Sequence, residues 1–277
     1  MNKSLQDFYN NNQQTFSKNA FLFKEVNKRC LDRLQFIKLS PDNIVDLGAG
    51  PVFANKYLLE AYSTANLISI DFAANMLEAN NNNTKLLANA SATPIKTASV
   101  DLVYCNLMLH WQPDLAPVFI EVNRILKDDG LFMFSCFGVD TLSELRAAFA
   151  TIDQFDHVNA FYDMHDLGDG LLQLGFADPV MDMELMTVEY QDFQTIISDL
   201  NTVYGPLCAG NTKKSLMTRR QLQRVQMSYQ QAADSNKALP VSFEIIYGHA
   251  WKKASSTTQY HNEQGEVVVP LSELVKK

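Results

Sequence analysis

Short apolar segments alternate with amphipathic helical segments through the first half of this chain, and this alternation constrains its fold more than any other feature. Each apolar segment is bounded by polar residues that are typical of turns. The five segments are Ile44 to Leu47, Leu67 to Ile70, Lys85 to Leu87, Leu102 to Cys105 and Leu131 to Phe137. Because such alternation is typical of βαβ units, the sequence predicts an α/β fold with a doubly wound, mostly parallel sheet.

Helical patterns fill the spaces between these segments. The predicted helices are Ala54 to Ala61, Ala73 to Asn80, Leu115 to Leu126 and Thr141 to Phe149. We expect the last helix to begin with a capping box, since Glu144 follows Thr141 by three residues. The polar segment Lys127 to Gly130 predicts a turn into the fifth strand.

Two further strands, Pro179 to Tyr190 and Val241 to Trp251, complete a predicted sheet of seven. A helix over Asp166 to Leu174 precedes them. Residues 191–240 separate the two strands, have a mostly helical pattern, and are interpreted as an insertion or lid. Residues 1–40 have a polar beginning followed by a helical pattern, and we expect this helical segment to cover the site of a domain spanning 41–277.

Composition excludes several classes of function. The 277 residues include 31 acidic and 23 basic ones, so the net charge is −8, which argues against general binding to nucleic acid or to anionic membranes. The N-terminus has no apolar core like that of a signal peptide, and no apolar segment is long enough to span a bilayer. The four cysteines form no metal-binding or disulfide pattern, so we expect a cytoplasmic protein without a metal.

A glycine-rich turn follows the first predicted strand and points to a nucleoside ligand. Gly48 and Gly50 permit close approach of the backbone to a ligand, and Asp46 helps to organise the turn. Asp71 follows the second strand, where a carboxylate accepts hydrogen bonds from ribose hydroxyls. A dinucleotide motif would require a third glycine at the position of Phe53, so we expect S-adenosylmethionine instead of NAD. Asn89, in the turn after the third strand, is a candidate partner of the adenine amino group.

These residues resemble the class I S-adenosylmethionine-dependent methyltransferases, and the later segments resemble one of their families. The segments that carry the second resemblance are 106–111 (NLMLHW), 137–146 (FGVDTLSELR), 163–169 (DMHDLGD), 175–184 (GFADPVMDME) and 243–251 (FEIIYGHAW). They are similar to the malonyl-acyl carrier protein O-methyltransferases of biotin synthesis, over about residues 20–275.

The resemblance implies a Rossmann-like domain that methylates the free carboxylate of malonyl-acyl carrier protein. Masking this charge lets fatty-acid synthesis elongate the chain toward pimeloyl, the biotin precursor. The resemblance also implies a set of cofactor-binding residues: Asp46, Gly48, Gly50, Asp71, Phe72, Met76, Asn89, Ala90 and Asn106.

Three residues are candidates for the catalytic step. Arg146 has a guanidinium group that matches a carboxylate bidentately, although it can equally be a surface arginine paired with Glu144 or Asp140. His110 follows the fourth strand and serves either as a hydrogen-bond donor to substrate or as a core residue. Trp111 is expected to form a wall beside the methyl donor.

A basic cluster in the predicted insertion is a candidate docking surface for an acidic carrier protein. Its members are Lys213, Lys214, Arg219, Arg220 and Arg224. The alternative is an ordinary solvated helix face. Other functions also stay open from the sequence: methylation of another small carboxylate, a reaction like that of a related arginine hydroxylase, and a non-catalytic assembly role. The sequence does not determine the oligomeric state or the preference for carrier protein over coenzyme A.

Overall fold

The computed structural model describes residues 3–79, 84–205, 217–232, 238–254, 260–261 and 267–268. Seven strands form one sheet: β1 (Asn43–Leu47), β2 (Asn66–Asp71), β3 (Thr84–Leu87), β4 (Val100–Asn106), β5 (Leu126–Phe137), β6 (Phe176–Tyr190) and β7 (Leu239–Lys252). Two short strands, β8 (Tyr260–His261) and β9 (Val267–Val268), pair separately.

Eight α-helices accompany the sheet within the described residues: α1 (Lys3–Asn19), α2 (Phe21–Leu34), α3 (Asn55–Ala61), α4 (Ala116–Ile125), α5 (Ser143–Ala150), α6 (Met164–Gln173), α7 (Phe193–Val203) and α8 (Arg219–Ala232). Two 3-10 helices, Ala74–Ala79 and Leu109–Trp111, follow β2 and β4. The first of them occupies the predicted helix Ala73 to Asn80.

The strand order is β3-β2-β1-β4-β5-β7-β6, and β7 runs antiparallel to both of its neighbours. The order reverses direction between β1 and β4. In doubly wound sheets, ligands bind at the carboxyl ends of the strands beside such a reversal. The predicted doubly wound, mostly parallel sheet is therefore confirmed, and its topology indicates where a site should lie.

Alternate side chains of the central strands pack on opposite faces of the sheet. Ile44 and Tyr104 belong to a buried cluster with α1, α2, α3, α5, α7 and α8, whereas Val45 and Val103 belong to one with α4 and α6. The sheet is therefore covered on both faces, as its apolar strands require. None of the described helices combines the length and the apolar character needed to cross a bilayer.

Helix α1 shows that the polar first residues of the chain form more regular structure than their composition suggests. Leu5, Tyr9 and Phe16 are buried on one side of this helix, while its remaining residues are mostly polar. Few apolar residues are enough to stabilise this helix, because it lies on the domain and buries only one narrow face.

Two local predictions were wrong. The capping box does not form: the N-cap of α5 is Leu142 with φ of 59°, and Glu144 accepts hydrogen bonds from Ser242 instead. A contact of Glu144 with β7 thus replaces the predicted contact at the beginning of its own helix. The predicted turn Lys127 to Gly130 lies inside β5, at an irregularity where the register between β4 and β5 shifts, and Asp129 has φ of 58° there.

Candidate active site

The glycine turn after β1 has the backbone conformation that its sequence predicts. Gly48 and Gly50 have φ of 72° and 51°, in the left-handed region that favours glycine. A Cβ atom on Gly48 would lie 2.4 Å from the side chain of Met108, so a larger residue does not fit. The turn is held against β2, because Gly48 N and Ala49 N both donate to the carbonyl oxygen of Ile70, at 2.8 and 3.0 Å.

Asp71 connects this turn to the segment that follows β2. Its Oδ2 accepts a hydrogen bond from Gly50 N and its Oδ1 accepts one from Ala73 N, each at 2.9 Å. Burial raises the pKa of Asp71 to about 6, although these N–H groups act in the opposite direction. A carboxylate has lone pairs beyond these two bonds, so Asp71 retains capacity to accept from ribose hydroxyls.

Asp46 lies deeper, on β1 beneath the turn. It is 2 % exposed, and its Oδ2 is buried without a hydrogen-bond partner in the described structure. Burial raises the pKa of Asp46 to about 8, and the nearby charge of Asp71 adds to this. A buried acceptor without a donor is costly, so this position favours a cationic ligand group.

Two adjoining cavities open at the carboxyl ends of β1, β2 and β4. The inner cavity is lined mainly by aromatic side chains and by polar residues of the sheet: Tyr9, Phe16, Phe23, Asn27, Asp46, Gly48, Gly50, Phe53, Asp71, Phe72, Met76, Asn106 and Trp111, with their neighbours. The outer cavity, of about 480 Å³, adds Asn89, Ala90 and His110. It shares Gly48, Asp71, Phe72, Met108 and Trp111 with the inner one. The nine residues predicted to bind the cofactor all line one of these cavities.

His110 and Trp111 lie together beside the outer cavity. Their rings are 4.8 Å apart, and the His110 ring is 4.5 Å from that of Phe137. Burial lowers the pKa of His110 to about 3, so the imidazole is neutral at physiological pH. Neither ring nitrogen has a hydrogen-bond partner in the described structure. A neutral imidazole can donate one hydrogen bond to a ligand but contributes no charge.

The structure does not bring Arg146 to the walls of either cavity. Its side chain is exposed on α5, where Nη2 donates to the carbonyl oxygen of Thr141 at 3.4 Å. The predicted alternative, pairing with Glu144 or Asp140, is also not found: Glu144 accepts from Ser242, and the backbone N–H of Asp140 donates to Glu244. Among the described residues, the Arg146 side chain thus makes one long hydrogen bond, which would have to break before it could bind a substrate.

Of the predicted docking cluster, Arg219, Arg220 and Arg224 are exposed on α8. Lys213 and Lys214 lie outside the described residues. Helix α8 packs against α5, so the three arginines lie on the element next to Arg146. In addition, Asp163 caps α6 by accepting from His165 N at 2.8 Å.

In the inner cavity, sequence reasoning missed much of the aromatic lining and one polar residue, Asn27. Phe23 and Asn27 lie on the buried face of α2, and Phe53 comes from the segment after the glycine turn. The available signal was the polar Asn27 at a helix position whose neighbours in the pattern are apolar. No comparable signal distinguishes a cavity-lining phenylalanine from one in the core.

These features fit S-adenosylmethionine. The orphaned carboxylate of Asp46 suits the ammonium group of its amino-acid end, and the glycine turn permits close approach. The aromatic walls suit a sulfonium cation, because aromatic faces attract cations. Within the described residues no group of histidine, cysteine and acidic side chains is arranged to hold a metal ion.

Solved structures share this fold. YcgJ of Bacillus subtilis is 14 % identical with a TM-score of 0.60, over 82 % of this chain and 100 % of that one. Phosphoethanolamine N-methyltransferase 2 of Haemonchus contortus, in complex with phosphomonomethylethanolamine and S-adenosylhomocysteine, is 15 % identical with a TM-score of 0.54, over 90 % of this chain and 60 % of that one. At these identities the likeness concerns the fold.

Sequence comparisons show the family as well as the fold. Residues 45–134 match the family model described as a methyltransferase domain. The malonyl-[acyl-carrier protein] O-methyltransferase of Gallionella capsiferriformans is 35 % identical, over 99 % of this chain and 97 % of its own length. Those of Coxiella burnetii (number 1) and Legionella pneumophila are 37 % and 32 % identical, over 95 % and 100 % of this chain and 92 % and 99 % of theirs. The chain belongs to the malonyl-[acyl-carrier protein] O-methyltransferase family.

Proposed function

We propose that this enzyme methylates the free carboxylate of malonyl-acyl carrier protein, with S-adenosylmethionine as the methyl donor, and so supplies the methyl ester that begins pimeloyl formation in biotin synthesis. The observation that carries the proposal is the grouping of Asp46, Asp71 and the glycine turn around one crevice, in a chain with full-length relatives of that name. The nine cofactor-binding residues keep the roles that the sequence resemblance gave them.

The chemistry requires little of the protein beyond positioning. When bound, S-adenosylmethionine supplies an electrophilic methyl group on a sulfonium. The malonyl carboxylate is already ionised at pH 7, because carboxylic acids have pKa values several units lower, so no general base is needed. The protein's task is to hold a carboxylate oxygen about 3 Å from the methyl carbon, in line with the bond that breaks.

The aromatic walls exclude water from this step. The ring of Tyr9 packs nearly perpendicular to those of Phe72 and Trp111, with ring centroids 6.4 and 6.0 Å away. A carboxylate that leaves water is a stronger nucleophile, and aromatic faces stabilise the positive charge on sulfur before transfer. This arrangement supports the proposed role of Trp111 as a wall beside the methyl donor.

His110 and Arg146 are the proposed partners of the acyl group. His110 is neutral, so we assign it a hydrogen bond to an oxygen of the substrate and no proton transfer. Arg146 supplies the positive charge for the carboxylate. In this role its guanidinium leaves the Thr141 carbonyl oxygen and turns toward the mouth of the crevice; the single 3.4 Å hydrogen bond opposes that movement only weakly.

The exposed arginines of α8 are the proposed contact with the carrier protein, together with Lys213 and Lys214. Acyl carrier proteins are acidic and the enzyme has a net charge of −8, so productive encounter requires a local positive surface. The position of α8 against α5 supports this surface as the one from which the acyl chain enters, past Arg146.

Mass spectrometry of malonyl-acyl carrier protein after incubation with the purified enzyme and S-adenosylmethionine tests the proposed reaction. We expect the malonyl form to gain the mass of one methylene and acetyl-acyl carrier protein to gain nothing. A gain on both forms would place the methyl group elsewhere on the carrier. No gain on the malonyl form, with cofactor binding demonstrated, would reject this substrate in favour of another carboxylate.

A further inference from the structure

Asn27 is a polar residue on the buried face of α2, and it lines the inner cavity. It is 2 % exposed, and its neighbours on that face, such as Phe23, Val26 and Cys30, are apolar and buried. A side-chain amide in such surroundings costs free energy unless both of its ends find hydrogen-bond partners. The partners of Asn27 therefore indicate its role.

Tyr104 engages one end of this amide. The Tyr104 hydroxyl donates to Asn27 Oδ1 at 2.8 Å, and Tyr104 is completely buried in β4. This bond fixes the orientation of the amide, because it occupies the oxygen and leaves the nitrogen on the other side. Among the described residues, Asn27 Nδ2 has no hydrogen-bond partner.

Asn106, the other amide in the inner cavity, is engaged at both ends. Its Oδ1 accepts from the Ser135 hydroxyl at 2.7 Å, and its Nδ2 donates to the carbonyl oxygen of Phe23 at 3.2 Å. Asn106 is therefore held by the protein itself. Asn27 has an amide donor that the described protein does not use.

Asp46 supplies the complementary group in the same cavity. It pairs in register with Tyr104 across β1 and β4, so Asp46 and the tyrosine that holds Asn27 come from adjacent strands, and Asp46 and Asn27 line the same cavity. Asp46 Oδ2 is a buried acceptor without a donor in the described structure. The hydrogen bonds from Tyr104 engage Oδ1 and the carbonyl oxygen of Asn27, and they leave the donor Nδ2 available on the cavity side. One acceptor and one donor together match the ammonium and the carboxylate of an α-amino acid.

We propose that Asn27 Nδ2 donates a hydrogen bond to the α-carboxylate of S-adenosylmethionine, while Asp46 receives its ammonium group. Tyr104 is a positioning residue that holds the amide in the required orientation. The inference rests on the proposed function only for the identity of the cofactor, and it assigns a residue to one end of that cofactor.

Binding of S-adenosylhomocysteine, measured by titration calorimetry, tests the assignment without any methyl transfer. The second probe is decarboxylated S-adenosylhomocysteine, which retains the ammonium group but lacks the carboxylate. We expect Asn27→Leu to weaken S-adenosylhomocysteine binding about 10- to 100-fold, as for a lost hydrogen bond to a charged group, and to change binding of the decarboxylated probe less than about threefold.

Asn66→Leu is the matched control, because Asn66 is exposed at the opposite, amino-terminal end of the strands and its side chain bonds to Asn43. It should alter neither affinity. Tyr104→Phe should weaken S-adenosylhomocysteine binding about 3- to 10-fold and spare the decarboxylated probe, since the amide then loses its fixed orientation. Thermal unfolding shows that each variant is folded.

Asn27→Asp provides an isosteric second variant if Asn27→Leu does not fold. It retains the acceptor for Tyr104 and replaces the donor with a group that repels or competes with a carboxylate, so we again expect selective loss for S-adenosylhomocysteine. Unchanged affinity in the folded variants, or equal loss for both probes, would overturn the assignment. If the enzyme failed to methylate malonyl-acyl carrier protein, the assignment of Asn27 would still stand, since these titrations contain no methyl acceptor.

Discussion

At the scale of single residues, Asp46 most clearly lowers the stability of the ligand-free fold in order to serve the site. Burial raises its pKa from an ordinary value of 3.8 to about 8. The folded protein therefore holds this proton more tightly than the unfolded chain does. As pH rises from about 4 to above 8, the contribution of Asp46 makes the ligand-free fold progressively less stable.

Asp46→Asn removes this titration, so it should raise the melting temperature of the ligand-free protein by ~2 °C or more at pH 8 and by less at pH 5. The same variant lacks the charge to which we assign the ligand's ammonium group. We expect its affinity for S-adenosylhomocysteine to fall about tenfold or more. Calorimetric scans at the two pH values and a binding titration measure both effects.

Asp46 would instead be a structural residue if Asp46→Asn lowered the melting temperature equally at both pH values and retained its affinity. Ser69→Ala is a suitable comparison, because Ser69 is a buried polar residue of the neighbouring strand, hydrogen-bonded to Asn55. Ser69→Ala should change the melting temperature by the same amount at pH 5 and at pH 8.

Arg146 is the residue for which the proposed role depends most on movement. Arg146→Ala should raise the KM for malonyl-acyl carrier protein about 10- to 100-fold, because the proposed bidentate charged contact to the carboxylate is lost. The affinity for S-adenosylhomocysteine should be unchanged. Arg146→Lys retains the charge without the bidentate geometry and should recover part of the loss. Steady-state kinetics with each variant give the comparison, and a normal KM in Arg146→Ala would exclude Arg146 from substrate binding.

At the scale of elements, α1 forms an aromatic wall of the inner cavity. Tyr9 and Phe16 line this cavity, and polar contacts attach the helix nearby. Gln6 Nε2 donates to the carbonyl oxygen of Phe72 at 2.5 Å, and Asn10 accepts two hydrogen bonds from Asn75. The segment that holds α1 in place thus follows β2, directly after Asp71. Cofactor binding and the docking of α1 should therefore be coupled.

Tyr9→Ala should lower kcat/KM about 10- to 100-fold, because it opens the aromatic wall to water and removes a face beside the sulfonium. Tyr9→Phe should retain activity within about threefold, since the ring edges contact Phe16, Phe72 and Trp111. Steady-state kinetics of the two variants separate the contribution of the Tyr9 ring from that of its hydroxyl. An equal loss in both would show that the hydroxyl takes part in the reaction.

At the scale of the whole molecule, the strands and the glycine turn were predictable because their signals are local. Apolar segments such as Ile44 to Leu47 fix the parallel sheet, and the sheet alone brings Asp46, Asp71 and Asn89 to one edge. What could not be predicted depends on contacts between distant segments. Glu144 bonds to Ser242 instead of capping its own helix, and Asn27 acquires its orientation from Tyr104.

The charge distribution of the whole molecule carries the last prediction. With a net charge of −8, the enzyme repels an acidic carrier protein at long range, so the proposed contact through the three exposed arginines of α8 has to be a local one. Reversing Arg219, Arg220 and Arg224 to glutamate should raise the KM for malonyl-acyl carrier protein about tenfold or more and leave the affinity for S-adenosylhomocysteine unchanged. Added salt should raise the KM of the original enzyme and affect that of the variant much less.

A single reversal provides the matched control for net charge. Arg220→Glu and Lys96→Glu change the total charge equally, but Lys96 is exposed before β4, far from α8 in sequence and at the amino-terminal end of the strand. If docking depends on the local surface, only Arg220→Glu should raise the KM. Equal effects of the two reversals would show that total charge governs the encounter, and the α8 surface would then have no specific role.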